Sequence, residues 1–292
     1  MDATQRFSSR VDAYLKYRPH YPTAVIETLQ SDCQLTADSV VADIGSGTGF
    51  LSELFLNNNN LVFAVEPNRE MRLAGEAYCQ NYSNFQSPNF KSPNFKSIDG
   101  SAEATTLASQ SVDFVVAGQA FHWFNRAKAR QEFTRILRPG GWVMLVWNDR
   151  DIHATPFLAE YEQLLQTYCA EYPQVNHKNV HQSALNDLFE GQAWLEKVVT
   201  YQQLFDYEGL KGRLMSSSYA PEKGHRNHAP MLGRLSEIFH QYCSANGTEE
   251  TARSITRDAA RDAAENTTHE SAQAFVKIEY KTRMFYGQLS AA

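Results

Sequence analysis

Cysteine is scarce in this chain: four residues, at positions 33, 79, 169 and 243, with no metal-like spacing. No secretory signal pattern opens the sequence, so reduced thiols and a cytoplasmic setting are expected. No apolar run approaches the ~18 residues of a membrane span, and no membrane partner is expected. Basic runs are missing too. The densest cationic patch is Arg126, Lys128 and Arg130, and the formal net charge is −6, so no nucleic-acid footprint is expected. His177 and His181 share i, i+4 spacing, but no third ligand accompanies them, which argues against a metal site. The sequons at Asn246 and Asn266 read as chance matches in a cytoplasmic chain.

What is present is ordinary globular material arranged around one unusual stretch. Hydrophobic residues make up 42% and charged residues 21% of 292 positions, enough for one large α/β domain with an elaboration. Val40-Val41-Ala42-Asp43-Ile44-Gly45-Ser46-Gly47-Thr48-Gly49 is an apolar run ending in an acid, followed by alternating glycines and then a helical pattern. That order predicts a buried strand, a tight turn and a helix N-terminus, with glycines that let backbone approach a ligand. Leu61 to Val65 is a second apolar run and ends at Glu66, 21 residues beyond Gly45. An acid at that distance suits a two-pronged grip on ribose hydroxyls. With Pro67 and Asn68 following, the alternative is a solvated helix cap.

The rest of the first ~150 residues alternates strand and helix, which predicts a parallel sheet covered on both faces. Phe7, Val11, Tyr14 and Leu15 mark an amphipathic helix that Pro19 ends. Tyr21-Pro22 opens another, with Val25, Ile26 and Leu29 inward. A helix carrying Phe50, Leu51, Leu54 and Phe55 follows the glycine turn, and the asparagine run 57–60 suits a cap and turn. A third strand precedes Asp99, and Val112 to Ala117 is the fourth. A helix with Ala129, Phe133, Ile136 and Leu137 on one face places Arg135 and Arg138 in its last turn. Trp142 to Trp147 is the fifth strand. Beyond it, Phe157 to Tyr168 reads as a helix, and Val199 to Phe205 and Ala274 to Tyr286 as late strands. Two direct repeats stand out, Ser-Pro-Asn-Phe-Lys over 87–96 and Arg-Asp-Ala-Ala over 257–264. The first is an insertion of the kind that loops tolerate.

The spacing Asp43-x-Gly45-x-Gly47-x-Gly49 is not the G-x-G-x-x-G of nicotinamide and flavin enzymes. It resembles the first motif of the class I S-adenosylmethionine (SAM)-dependent methyltransferases. The resemblance implies a Rossmann-like seven-stranded sheet, mostly parallel with an antiparallel last strand, and a helical lid. It implies one methyltransferase domain over 1–292: a SAM-binding core over 1–150, helical lid or substrate insertions over 151–198 and 207–270, and edge strands over 199–206 and 274–286. Phe7, Tyr14, Arg18, Pro19, Tyr21 and Pro22, with His122-Trp123 and Trp147-Asn148, resemble the small-molecule branch that includes the trans-aconitate methyltransferases. The Asn-Pro-Pro-Tyr-type signature of amino methyltransferases acting on adenine or glutamine is absent.

On this resemblance the cofactor is SAM, with S-adenosylhomocysteine as product. Asp43 orders the turn, and Gly45, Ser46, Gly47 and Gly49 border the methionine and ribose. Glu66 and Pro67 take the ribose. Ser101, Ala102 and Glu103 stand where related sequences read Asp-Ala-Glu against adenine. Gln119 and Ala120 line the methionine arm, and Tyr14 and Arg18 cap its carboxylate. His122, after the fourth strand, is a candidate base or acceptor-orienting residue, or else a packed wall. Trp123 and Arg150 are candidates for the acceptor, since a carboxylate acceptor needs a cation and no base; Arg126 and Arg213 are weaker alternatives. The expected activity is transfer of a methyl group to a small molecule, with a carboxylate as the candidate acceptor, by in-line displacement. A non-catalytic SAM-binding regulatory protein and a nicotinamide oxidoreductase are the rival readings.

Overall fold

The computed structural model describes residues 11–82, 94–173, 182–244 and 274–289. Phe7, most of the 87–96 repeat, His177, His181, both sequons and the 257–264 repeat lie outside the described residues.

Seven strands form one sheet in the order β3-β2-β1-β4-β5-β7-β6. They are β1 (Val40–Ile44), β2 (Leu61–Val65), β3 (Phe95–Ile98), β4 (Val112–Gly118), β5 (Leu137–Arg150), β6 (Trp194–Phe205) and β7 (Val276–Gln288). β1 runs parallel to β2 and β4, β2 parallel to β3, and β4 parallel to β5. The last strands are antiparallel. Thr282 meets Asn148 while Gln288 reaches Gly140, and Arg283 meets Glu196 while Tyr280 faces Tyr201. Partner numbers that fall as the strand number rises define an antiparallel register.

The apolar runs of β1, β4 and β5 are buried because both faces are covered. Val41, Phe114, Val116, Met144 and Val146 pack on one side with α2 (Ala24–Cys33) and α3 (Phe50–Asn57). Ala42, Ile44, Val115, Ala117, Val143 and Leu145 pack on the other with α5 (Arg126–Ile136) and α7 (Gln182–Phe189). The alternation along each strand follows from the two-residue pleat. α4 (Arg69–Cys79) follows β2, and its N-cap Asn68 accepts a bond from Met71 N.

Local differences from expectation have physical causes. α1 (Val11–Tyr17) ends before Arg18-Pro19 as expected. α2 starts at Ala24 rather than at Tyr21-Pro22, because the residue before a proline is held extended. Arg138 is not in the last turn of α5. The helix stops at Ile136, and Arg138 begins β5, where it forks onto both oxygens of Asp113. Leu137 likewise starts the strand, and residues between Leu137 and Trp142 bulge out of the β4 register. In the asparagine run, Asn59 takes the left-handed conformation (φ 65°), and the buried Asn60 side chain donates to the carbonyls of Thr36 and Ser39.

The chain divides into two compact units. The sheet unit lies within Met1–Asp149, Val175–Tyr201 and Tyr280–Ala292. The helical unit lies within Arg150–Gln174 and Gln202–Glu279. α7, within the 151–198 stretch expected as a helical insertion, belongs to the sheet unit. Inside the helical unit, α6 (Pro156–Tyr168), α8 (Tyr207–Met215) and α9 (His228–Tyr242) carry a core of their own. Phe157 meets Tyr242, Tyr207 meets Phe239, and Cys169 Sγ lies 3.8 Å from Met231 Sδ. Among the described residues, no helix is long and apolar enough to cross a membrane.

Candidate functional site

The strand order reverses between β1 and β4, and ligands of such sheets lie beyond the C-terminal strand ends at that point. The ends of β1, β2, β3 and β4 bring together most of the residues singled out above.

At the end of β1, Asp43 is fully buried. Ser52 Oγ donates to its Oδ2 at 2.6 Å, while Oδ1 has no hydrogen-bond partner among the described residues. Desolvation is the main reason its carboxyl rises to about 7, with the nearby Glu66 adding to it and Ser52 opposing. Gly45 and Gly49 both hold positive φ, +68° and +88°. Their missing side chains serve packing. A Cβ on Gly45 would lie 2.7 Å from that of Ala120, and one on Gly49 would lie 2.5 Å from Cys79 Sγ. The loop folds back on β2, with Gly45 N and Ser46 N donating to Val65 O at 2.8 and 3.2 Å.

Glu66 closes the same corner. Its Oε2 accepts from Gly47 N at 2.9 Å and its Oε1 from Asn68 N at 2.8 Å. Of the two sequence alternatives, the cap is seen, buried rather than solvated: Glu66 braces the start of α4 and ties down the glycine loop. Each oxygen keeps a further lone pair. Desolvation raises the Glu66 carboxyl, opposed by those two amides and by Arg72. Arg72 donates to the Glu66 carbonyl and forks onto Asp99, linking the ends of β2 and β3.

Beyond β3, Ser101 and Ala104 exchange backbone bonds, and Ser101 Oγ accepts from Glu103 N at 3.3 Å. Ala102 is buried. Glu103 is committed to the protein, accepting from Asn125 N at 2.7 Å ahead of α5. Beyond β4, Gln119 sits at φ 56° and its side-chain amide donates to Asn148 O. Its reach is thus set by the end of β5. His122 and Trp123 lie in a single 3-10 turn with ring centroids 4.8 Å apart, His122 half-buried and Trp123 40% exposed.

The N-terminal segment also reaches this corner. Arg18 Cζ lies 5.1 Å from the Tyr14 ring centroid, and Tyr14 leans on Phe50 of α3. His20 stacks on Phe50 at 4.1 Å, pairs with Glu53 and accepts from Asn148 Nδ2 through its carbonyl. Tyr21, which the sequence pattern marks only as a helix start and a motif letter, also lies at this corner, against Gly118. Its phenol feels Tyr14, Asp43 and Arg18, which places all four in one electrostatic neighbourhood. The Arg-Pro-x-Tyr-Pro spacing was the signal that could have found it.

Arg150, the candidate acceptor cation, has protein partners of its own. It belongs to the helical unit and is engaged there: Nη2 donates to Glu162 at 2.5 Å and to Tyr172 Oη at 3.1 Å, and Cζ lies over the Tyr161 ring. Although desolvation works against the charge, the surrounding tyrosines and Glu162 hold the guanidinium ionised. A cation already neutralised by a carboxylate offers an acceptor little net charge. Arg213 is buried and donates to Ser217 Oγ, while Arg126 is exposed at the start of α5. Among the described residues no cluster of three or more His, Cys, Asp and Glu is placed to hold a metal.

Residues 42–145, from β1 to β5, match the methyltransferase domain family. The chain is similar to an uncharacterized methyltransferase of Schizosaccharomyces pombe, with 28% identity over 84% of this chain and 91% of that protein. It is also similar to one of Mycobacterium bovis, with 37% identity over 51% of this chain and 55% of that protein. Among solved structures, one from Anaeromyxobacter dehalogenans, assigned provisionally to the type II methyltransferases, has the same fold. It is 20% identical, covers 93% of this chain and 98% of its own, and superposes with a TM-score of 0.57.

Proposed function

We propose that the chain is a class I SAM-dependent methyltransferase whose acceptor is a small molecule, with carboxylates the class to test first. The reading of the site rests on one observation: four strand ends at the switch point converge on Asp43, Glu66, Ser101 and Gly118. The residues fit the cofactor. Asp43 Oδ1 is buried without a partner among the described residues, and Glu66 keeps lone pairs for two ribose hydroxyls. The Ser101 hydroxyl proton and the Ala102 amide suit an adenine edge. Tyr14 and Arg18 suit the carboxylate at the other end.

SAM, when bound, supplies an electrophilic methyl group and a thioether leaving group. The chain's part is to orient and to exclude water. A carboxylate acceptor is already nucleophilic and needs no proton removed. For a hydroxyl acceptor, His122 is the candidate to take the proton. The small-molecule reading draws on the net charge of −6, the missing Asn-Pro-Pro-Tyr-type signature, and the likeness of Arg18-Pro19, Tyr21-Pro22 and His122-Trp123 to the trans-aconitate branch.

Calorimetry with S-adenosylhomocysteine tests the site. Glu66→Ala is expected to weaken binding by about 1.5–3 kcal/mol, the scale of hydrogen bonds to a charged group. Unchanged binding would remove Glu66 from the site. Transfer of labelled methyl from SAM to a panel of small carboxylates tests the acceptor class. Transfer only to protein or nucleic acid would overturn the small-molecule reading.

A further inference from the structure

This inference rests on the cofactor site proposed above. Tyr21 lies between Pro19 and Pro22, which restrict the backbone on both sides. Its ring covers Gly118, the last residue of β4. A Cβ there would collide with the Tyr21 hydroxyl, come within 2.9 Å of its Cζ and lie 3.2 Å from Leu51 Cδ2. The hydroxyl therefore sits at the switch point, beside Asp43 of β1.

Tyr21 is half-buried, so a small molecule can reach it. Yet desolvation is the chief cause holding its phenol well above the ordinary value, with Tyr14 and Asp43 adding and Arg18 opposing. It stays protonated at neutral pH and acts as a donor. Among the described residues its hydroxyl has no hydrogen-bond partner. A protonated hydroxyl that a small molecule can reach is able to donate to an acceptor on a bound ligand.

The sheet order says which part of the ligand that is. If adenine and ribose met the ends of β3 and β2, as proposed above, the cofactor's amino-acid end would reach the ends of β1 and β4, next in the sheet order. Its carboxylate is the cofactor's anionic group, and Arg18 stands nearby. We propose that Tyr21 is a cofactor-binding residue whose hydroxyl donates a hydrogen bond to the carboxylate at the amino-acid end of SAM.

The test compares two ligands on Tyr21→Phe. S-adenosylhomocysteine carries the amino acid, and 5′-methylthioadenosine keeps adenosine and sulfur without it. The variant should bind S-adenosylhomocysteine about tenfold or more weakly and 5′-methylthioadenosine as the wild type does. Equal weakening of both ligands, or undiminished binding of S-adenosylhomocysteine, overturns the proposal. A wild type that binds neither ligand fails the cofactor reading itself, which is a different result. Gly118→Ala, which displaces the hydroxyl without removing it, should give the same selective loss. Loss for both ligands there counts against the proposal, and the thermal midpoint without ligand controls for folding in each variant.

Discussion

Asp43 is where burial and charge conflict most directly. Its carboxyl is raised from 3.8 to about 7 in the fold, mainly by desolvation. Between those values the folded state binds more protons than the unfolded chain, so stability falls as pH rises through that window. The loss is complete above about 7, and each pH unit between the two values is worth about 1.4 kcal/mol. Asp43→Asn should flatten this slope, measured as urea midpoints from pH 4 to 8; an unchanged slope would assign it to other groups. Glycines give a second contrast. Gly45→Ala meets both a left-handed φ and the Ala120 methyl, and should cost about 2–4 kcal/mol. Gly140→Ala meets the same φ problem (+79°) with nothing within 4 Å, and should cost only about 1–2 kcal/mol. Equal losses in urea melts would show that packing against Ala120 adds nothing.

Among the elements, α6 carries the most committed charge. Glu162 pairs with Arg150 and accepts from Tyr172, with side chains of Arg150 and Glu162 each only 10% exposed. Arginine and tyrosine hold its carboxyl below the usual range even though burial pushes the other way. Glu162→Gln leaves a buried guanidinium without its counter-charge and should cost about 3–5 kcal/mol. Lys211→Ala, which breaks an exposed i, i+3 pair with Glu208 on α8, should cost under about 0.5 kcal/mol. Similar thermal shifts for the two would sink the distinction. The helices and strands with periodic apolar faces were legible in the sequence: α3, α5, α6 and all of β1, β2 and β4. Arg138 was misplaced because a strand bulge and a helix C-terminus both favour Pro and Gly nearby, and only the pairing with Asp113 separates them.

For the molecule taken entire, a ligand bound only by the folded state stabilises it by mass action. S-adenosylhomocysteine at a hundred times its Kd should add about 2.7 kcal/mol, read as a raised melting temperature. The variant Glu66→Ala should lose most of that rise at the same ligand concentration. A rise that survives the substitution would place the ligand elsewhere.

Local structure at the site was already written in the chain. Asp43, three alternating glycines and an acid 21 residues beyond Gly45 specify a strand, a turn and a second strand tip, because those needs are met within short stretches of sequence. Which side chains share a neighbourhood was settled by folding alone. Glu66 finds Gly47 N because β1 and β2 are adjacent, and Tyr21 finds Gly118 across almost a hundred residues. Arg150 is occupied by Glu162 and Tyr172 of its own helical unit. Partners distant in sequence leave no periodicity to read, since hydrogen bonding and desolvation depend on distance in space.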